Sequence, residues 1–221
     1  MIPSSAGLFS RVNPNRKRTS LMERSLTSDD TYWNTGTRLL HGGMALTVSF
    51  QLLISLIMES PKPGRVLTST QALSFELHEW VGLSAVAVII AHWVWSALLT
   101  RDDSGFRHLF PWDAKGRAKL LAELRQIWRF QLPRGGPEGG LAGLVHGLGF
   151  LAVSAMAVTG AILFFTYPKN GAKTPFVGSV ADLHSFIANL AWVYWYGHIG
   201  MALLHEILGH RVLARIFLLR R

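Results

Sequence analysis

The chain has 221 residues, of which 49% are hydrophobic and only 16% are charged, and its formal net charge is +9. This balance is typical of a membrane protein, and the length is compatible with a single domain. The chain has no cysteine. Disulfides, iron–sulfur clusters, thiolate-ligated haem and covalently attached haem are therefore excluded.

Residues 1–34 form a basic, polar extension that lacks the apolar core of a cleaved signal peptide. Residues 35–221 are predicted to form one domain with four stretches that are long and apolar enough to cross a bilayer. These stretches cover residues 36–58, 77–99, 141–166 and 184–208. The sequence therefore predicts an all-α membrane protein built as a four-transmembrane-helix bundle.

Between the second and third stretches, residues 118–130 have the periodicity of an amphipathic helix. One face carries Leu120, Leu121, Leu124, Ile127 and Trp128, and the other carries Lys119, Glu123, Arg125 and Arg129. This pattern predicts a short amphipathic helix on the cytoplasmic side. The helix either lies on the membrane surface or packs against the protein's own inner face.

The distribution of lysine and arginine predicts the orientation in the membrane. Six lie before residue 39, eight lie between residues 101 and 134, and four follow residue 210, whereas the two remaining loops carry two each. Basic loops stay in the cytoplasm, so both termini are predicted to be cytoplasmic. The positive charge thus follows from topology, and no nucleic-acid partner is expected.

Two of the apolar stretches each carry two histidines fourteen residues apart, His78 with His92 and His184 with His198. In an α-helix, fourteen residues advance about 21 Å and bring the second side chain back to within roughly 40° of the first. Ionisable side chains inside a membrane are costly and mark functional sites. Imidazoles at two depths suggest two haem irons, one above the other. The spacing therefore predicts an electron path across a membrane.

The predicted orientation places His78 and His184 near the outer surface, and we call them the outer pair. The inner group consists of His41, His92, His146, His198 and His205. His198 is the clear ligand there, and symmetry of spacing favours His92 as its partner over the others. The same histidines also suit an alternative, a haem-free pathway for metal ions or protons.

The order of several short motifs resembles the bacterial cytochrome b561 proteins and the related cytochrome b subunits of nickel–iron hydrogenases and formate dehydrogenases. The resemblance covers residues 32–218. The motifs are Arg38-Leu39-Leu40-His41, His78-Glu79-Trp80-Val81-Gly82, Pro137-Glu138-Gly139-Gly140-Leu141, and Leu183-His184-Ser185-Phe186-Ile187-Ala188-Asn189-Leu190 running on to Gly197-His198.

The resemblance implies a ligand set of its own. It assigns His41 with His198 to an inner haem b and the outer pair to an outer haem b, both held non-covalently. His92 then departs from the family pattern, in which arginine is often found. It can face a haem propionate, line a quinone pocket or act as a ligand. Arg38, one turn before His41, either pairs with a haem propionate or serves as an ordinary inner-side charge.

The function implied by the resemblance is a di-haem b-type cytochrome of the bacterial inner membrane that exchanges electrons with the quinone pool. Two versions remain open. In one, the chain is a self-standing superoxide or quinol oxidoreductase. In the other, it is the membrane-anchor subunit of a respiratory dehydrogenase or hydrogenase. The haem-free histidine-rich transporter remains a more distant alternative.

Overall fold

The computed structural model describes residues 35–98, 109–133, 140–209 and 212–217, so the polar extension of residues 1–34 lies outside the described residues. Within these ranges the chain forms helices and no strand, which confirms the prediction of an all-helical protein. The helices are α1 (Thr35–Ile54), α2 (Ser69–Leu98), α3 (Ala114–Trp128), α4 (Gly140–Thr166), α5 (Pro175–Ile207) and α6 (Val212–Phe217).

Three of the described helices are long and apolar enough to cross a membrane, namely α2, α4 and α5, with 30, 27 and 33 residues. Helix α1 has 20 residues and is less apolar. Its sequence is interrupted by Arg38, His41 and Gln51, whose polar side chains lower its mean hydropathy. Of the four predicted spans, α2, α4 and α5 are therefore long and apolar enough to cross a membrane, whereas α1 is a more polar helix.

Helices α2 and α5 begin well before the apolar stretches predicted from hydropathy, at Ser69 and Pro175. Local capping explains both early starts. Thr68 and Gln71 bond reciprocally, with Gln71 N–H donating to the Thr68 hydroxyl and Thr68 N–H donating to the Gln71 side chain. Thr174 caps α5 by accepting from Val177 N–H at 3.3 Å. The two capping threonines are polar, so hydropathy gives no signal for these helix starts.

Indole N–H groups link the long helices through hydroxyl oxygens. Trp95 donates to Thr37 at 3.1 Å and joins α2 to α1. Trp93 donates to Ser154 at 2.9 Å and joins α2 to α4, while Trp195 on α5 donates to Ser49 on α1 at 2.9 Å. In a membrane such bonds fix helix pairs in register where hydrophobic burial cannot.

Helix α3 packs on the first turn of α4 through one buried carboxylate. Glu123 is buried, and its Oε2 accepts the Leu141 N–H at 2.6 Å. The chain enters α4 at Gly140 with a φ of +79°, where a Cβ would collide with the Glu123 carboxylate. The opposite side of α3 leaves Leu121 and Trp128 exposed. The sequence pattern placed Glu123 on the polar face. The structure buries it because the first N–H groups of α4 need an acceptor.

Candidate functional site

The outer pair is brought together by α2 and α5. The ring centres of His78 and His184 lie 6.4 Å apart, and the rings are nearly perpendicular at 85°. Nδ1 of His184 lies 2.8 Å from the hydroxyl of Thr159 on α4. Nδ1 of His78 is buried and has no hydrogen-bond partner among the described residues. The outer pair therefore faces across a gap with ring nitrogens still available for binding.

A cavity between α1, α2, α4 and α5 contains both rings of the outer pair. Many of the residues that line this cavity are small and leave room for a flat ligand. These small residues include Gly82, Ala85, Ala157, Gly160, Ala161 and Ala191. Lys173 and Glu79 also line the cavity, and the Lys173 ammonium lies 5.3 Å from the centre of the Tyr167 ring. The cavity thus combines a largely apolar lining with one residue of each charge.

In the inner group, His41 on α1 and His198 on α5 have ring centres 6.1 Å apart. His198 is further enclosed by Tyr194, stacked on it at 5.3 Å one turn earlier in α5, and by His146 of α4 at 5.0 Å. Phe217 of α6 lies 5.8 Å from the His41 ring. Nδ1 of His41 is buried and has no hydrogen-bond partner in the described part of the chain.

The remaining members of the inner group have other surroundings. His92 is buried, its ring packs against Phe150 at 4.8 Å, and its Nδ1 lies 3.2 Å from the hydroxyl of Ser96. Nδ1 of His146 lies 2.6 Å from the carbonyl oxygen of Ala142. His205 lies in the last turn of α5 and is half-buried.

Arg38 is buried beside the inner group. Its Nε donates to the carbonyl oxygen of Ile216 at 3.2 Å, which ties α6 to α1. Its Nη2 is buried without a hydrogen-bond partner among the described residues. A guanidinium N–H held in this way is costly unless it meets an acceptor, and carboxylates are the acceptors that arginine binds most tightly. This site is therefore suited to an anionic group.

The outer pair and the pair formed by His41 and His198 each fit a metal group held from two sides. An imidazole nitrogen binds a metal ion at about 2 Å, so two imidazoles on opposite sides of one ion have ring centres roughly 6 Å apart. The distances of 6.4 Å and 6.1 Å meet this requirement. Among the described residues, no three histidine, aspartate or glutamate side chains are arranged to hold a metal ion by themselves. The donor sets therefore suit a cofactor that brings its own equatorial ligands, as haem does.

Two contacts of this site were missed by reasoning from sequence. Thr159 is an ordinary residue of an apolar stretch, and only the packing of α4 on α5 brings it to His184. Tyr194 lies within the apolar stretch predicted for residues 184–208, and the structure stacks its ring on that of His198. Its position four residues before His198 was the available signal, since residues with this spacing lie on one helical face.

A family model described as prokaryotic cytochrome b561 matches residues 32–218. No curated protein and no solved structure gives a significant match to the chain. The matched range takes in every histidine of the outer pair and the inner group, as well as Arg38 and Thr159.

Proposed function

The chain belongs to the prokaryotic cytochrome b561 family and is accordingly a membrane haem b protein of electron transfer, and from this premise we propose that it is a di-haem cytochrome. One haem b is held by His78 and His184, and the other by His41 and His198. The observation that carries this proposal is that both pairs lie at the separation that bis-histidine ligation requires. When bound, haem b supplies a one-electron couple, and two histidine ligands complete its iron coordination.

Helix α5 contributes one ligand to each pair, and this arrangement supports two haem sites at different depths. His184 and His198 are fourteen residues apart on this unbroken helix, which corresponds to about 21 Å along its axis. Their partners come from different helices, His78 from α2 and His41 from α1. The chain thus provides ligands at two levels of its longest helix, α5.

We place Arg38 at a propionate of the inner haem. Its Nη2 is buried and without an acceptor in the described part of the chain, one turn from His41. A propionate oxygen would satisfy this N–H and neutralise the buried charge. The alternative, a charge that serves only to orient the chain, does not explain why the guanidinium is buried.

The proposed topology has four spans, with α1 crossing alongside α2, and both termini in the cytoplasm of a bacterium. Polar contacts between the two helices support this pairing: Gln51 donates to the His78 carbonyl oxygen at 2.8 Å, and Trp95 donates to Thr37. Helix α3 then lies on the inner membrane surface. Its exposed Leu121 and Trp128 would enter the interface, a position that tryptophan favours.

We further propose that the chain is a self-standing oxidoreductase that exchanges electrons with the quinone pool and accepts them from superoxide or quinol. The support for an anionic donor is the loop before α5, which carries Lys169 and Lys173, and Lys173 lines the cavity of the outer pair together with Glu79. Two lysines in one short loop attract small anions.

The test begins with the purified protein. Pyridine haemochrome analysis should give two haem b per polypeptide, and a redox titration should resolve two components with low-spin spectra. The reduced protein should then be reoxidised by a soluble quinone analogue without any added subunit. A protein that contains no haem after expression with ample haem would contradict the di-haem proposal. Reoxidation that needs a co-purified dehydrogenase subunit would instead favour the membrane-anchor role.

A further inference from the structure

Thr159 on α4 contacts the outer pair through a buried hydroxyl. The side chain is 6% exposed. Its Oγ1 lies 2.8 Å from Nδ1 of His184 and 2.8 Å from the carbonyl oxygen of Ala155 in the preceding turn. The hydroxyl therefore stands between an acceptor on its own helix and a ring nitrogen on another.

The direction of these two hydrogen bonds follows from the single proton that the Thr159 hydroxyl can donate. A threonine hydroxyl has one proton to donate and can also accept, whereas a carbonyl oxygen can only accept. The hydroxyl donates to Ala155, as threonine commonly does in helices, so its oxygen accepts from Nδ1–H of His184. The His184 proton then lies on Nδ1, and the lone pair of Nε2 is left free.

We propose that Thr159 is a positioning residue that holds His184 in the Nδ1–H tautomer and directs its Nε2 to the iron of the outer haem. This inference rests on the proposed function, because it requires His184 to be a haem ligand. Histidines that bind metals usually donate their other ring N–H to a protein acceptor, which orients the ring and increases its basicity as a ligand.

Gly160, the next residue of α4, supports the same ring from a second direction. A Cβ at Gly160 would lie 3.2 Å from Cε1 of the His184 ring. The ring thus lies close against the α4 backbone, and the Thr159 hydroxyl fixes its rotation there. Helix α4 has no histidine in the outer pair, yet it determines the orientation of one of the two rings.

The decisive variants are Thr159→Val, which keeps the side-chain shape and removes the acceptor, and Thr159→Ser, which keeps the hydroxyl. Haem loss to excess apomyoglobin and the reduction potential of each haem would be measured. We expect Thr159→Val to release one of the two haems about tenfold faster. The potential of that same haem should rise, because a less basic ligand stabilises the oxidised iron less. Thr159→Ser should restore both values to those of the wild-type protein.

Thr166→Val is the matched control, because Thr166 lies on the same helix and its hydroxyl donates to Ile162 in the same i to i−4 pattern. It should leave both haems unchanged. If Thr159→Val behaves like the wild-type protein while His184→Ala loses a haem, the role of Thr159 is refuted and the proposed function stands. Equal haem loss from the Val and Ser variants would also refute it, since the hydroxyl would not be the cause. If His184→Ala retains two haems, both proposals fall.

Discussion

The outer pair and the inner group are built differently around the same helix. Among the described residues, two histidines approach each other at the outer pair, a cavity contains both rings, and Thr159 of α4 contacts one of them. In the inner group, His198 has two histidine neighbours, His41 and His146, and aromatic rings fill the space around them. The ligand choice is therefore simple where histidines are few. Where they are crowded, it depends on the other contacts of each ring.

The largest expected effect is the loss of the outer haem without any change at the inner haem. His184→Ala should reduce the haem content from two per chain to one, and the remaining haem should keep its reduction potential, because the inner ligands are untouched. Pyridine haemochrome analysis and a redox titration measure both quantities. His205→Ala, on the same helix, is the control and should retain two haems. Loss of both haems from the His184 variant would show that the regions are not independent.

The second prediction addresses the crowded region. His41→Ala should remove the inner haem, whereas His92→Ala should retain it, because the His92 ring packs against Phe150. His146→Ala should also retain it, since its ring centre lies 5.0 Å from that of His198, closer than the roughly 6 Å expected of two imidazoles that bind one ion. Haem content of the three purified variants is the measurement. If the His92 variant loses a haem and the His41 variant does not, the ligand assignment must be exchanged.

The third prediction tests whether aromatic packing supports the inner haem. A Cβ at Gly149 would collide with the ring of Tyr194, which stacks on His198. Overpacking of this kind costs about 1–3 kcal/mol, so Gly149→Ala should lower the occupancy of the inner haem while the outer haem stays bound. Optical redox titration distinguishes the two haems by their reduction potentials. Gly197→Ala adds the same methyl group where nothing lies within 4 Å, and it should have no such effect.

The smallest effect concerns the attachment of α1 to α5, the two helices that carry the inner ligands. Ser49→Ala removes the acceptor of the Trp195 indole N–H. Interhelical hydrogen bonds in membranes are worth about 0.6 kcal/mol on average, so the midpoint of thermal haem release should fall slightly for the inner haem alone. Ser185→Ala is the control, because the Ser185 hydroxyl donates to the carbonyl oxygen of Ala181 in its own helix. An equal shift in that control would mean that the bond between the helices is not responsible.

The sequence alone was sufficient for features that depend on helical spacing and composition. The helical class and the family membership were predicted and are confirmed, and three of the four predicted apolar spans are found as helices long and apolar enough to cross a membrane. The spacing of His184 and His198 also placed both on one helix, and α5 runs unbroken through them. Such properties depend on the sequence of one helix and can be predicted without knowing which helices pack against it.

Contacts between helices could not be predicted from the sequence alone. The Thr159 hydroxyl meets His184 only because α4 packs on α5 at that height. The same holds for the burial of Glu123, which depends on the position of the α4 terminus. Hydropathy also missed the first turns of α2 and α5, because their caps are polar. Each of these failures concerns a polar group whose partner is distant in sequence or lies outside the apolar stretch.

The polarity of α1 has a consequence for how the protein is assembled. A helix that contains Arg38, His41 and Gln51 is a weak signal for the translocon, which recognises segments by their apolarity. Helix α1 would therefore enter the bilayer as a hairpin with the strongly apolar α2, to which Gln51 and Trp95 bind it. Nδ1 of His41 and Nη2 of Arg38 have no hydrogen-bond partner among the described residues, and a cofactor bound between His41 and His198 would be needed to compensate them. Cofactor insertion would then be the step that protects the newly made chain from proteolysis.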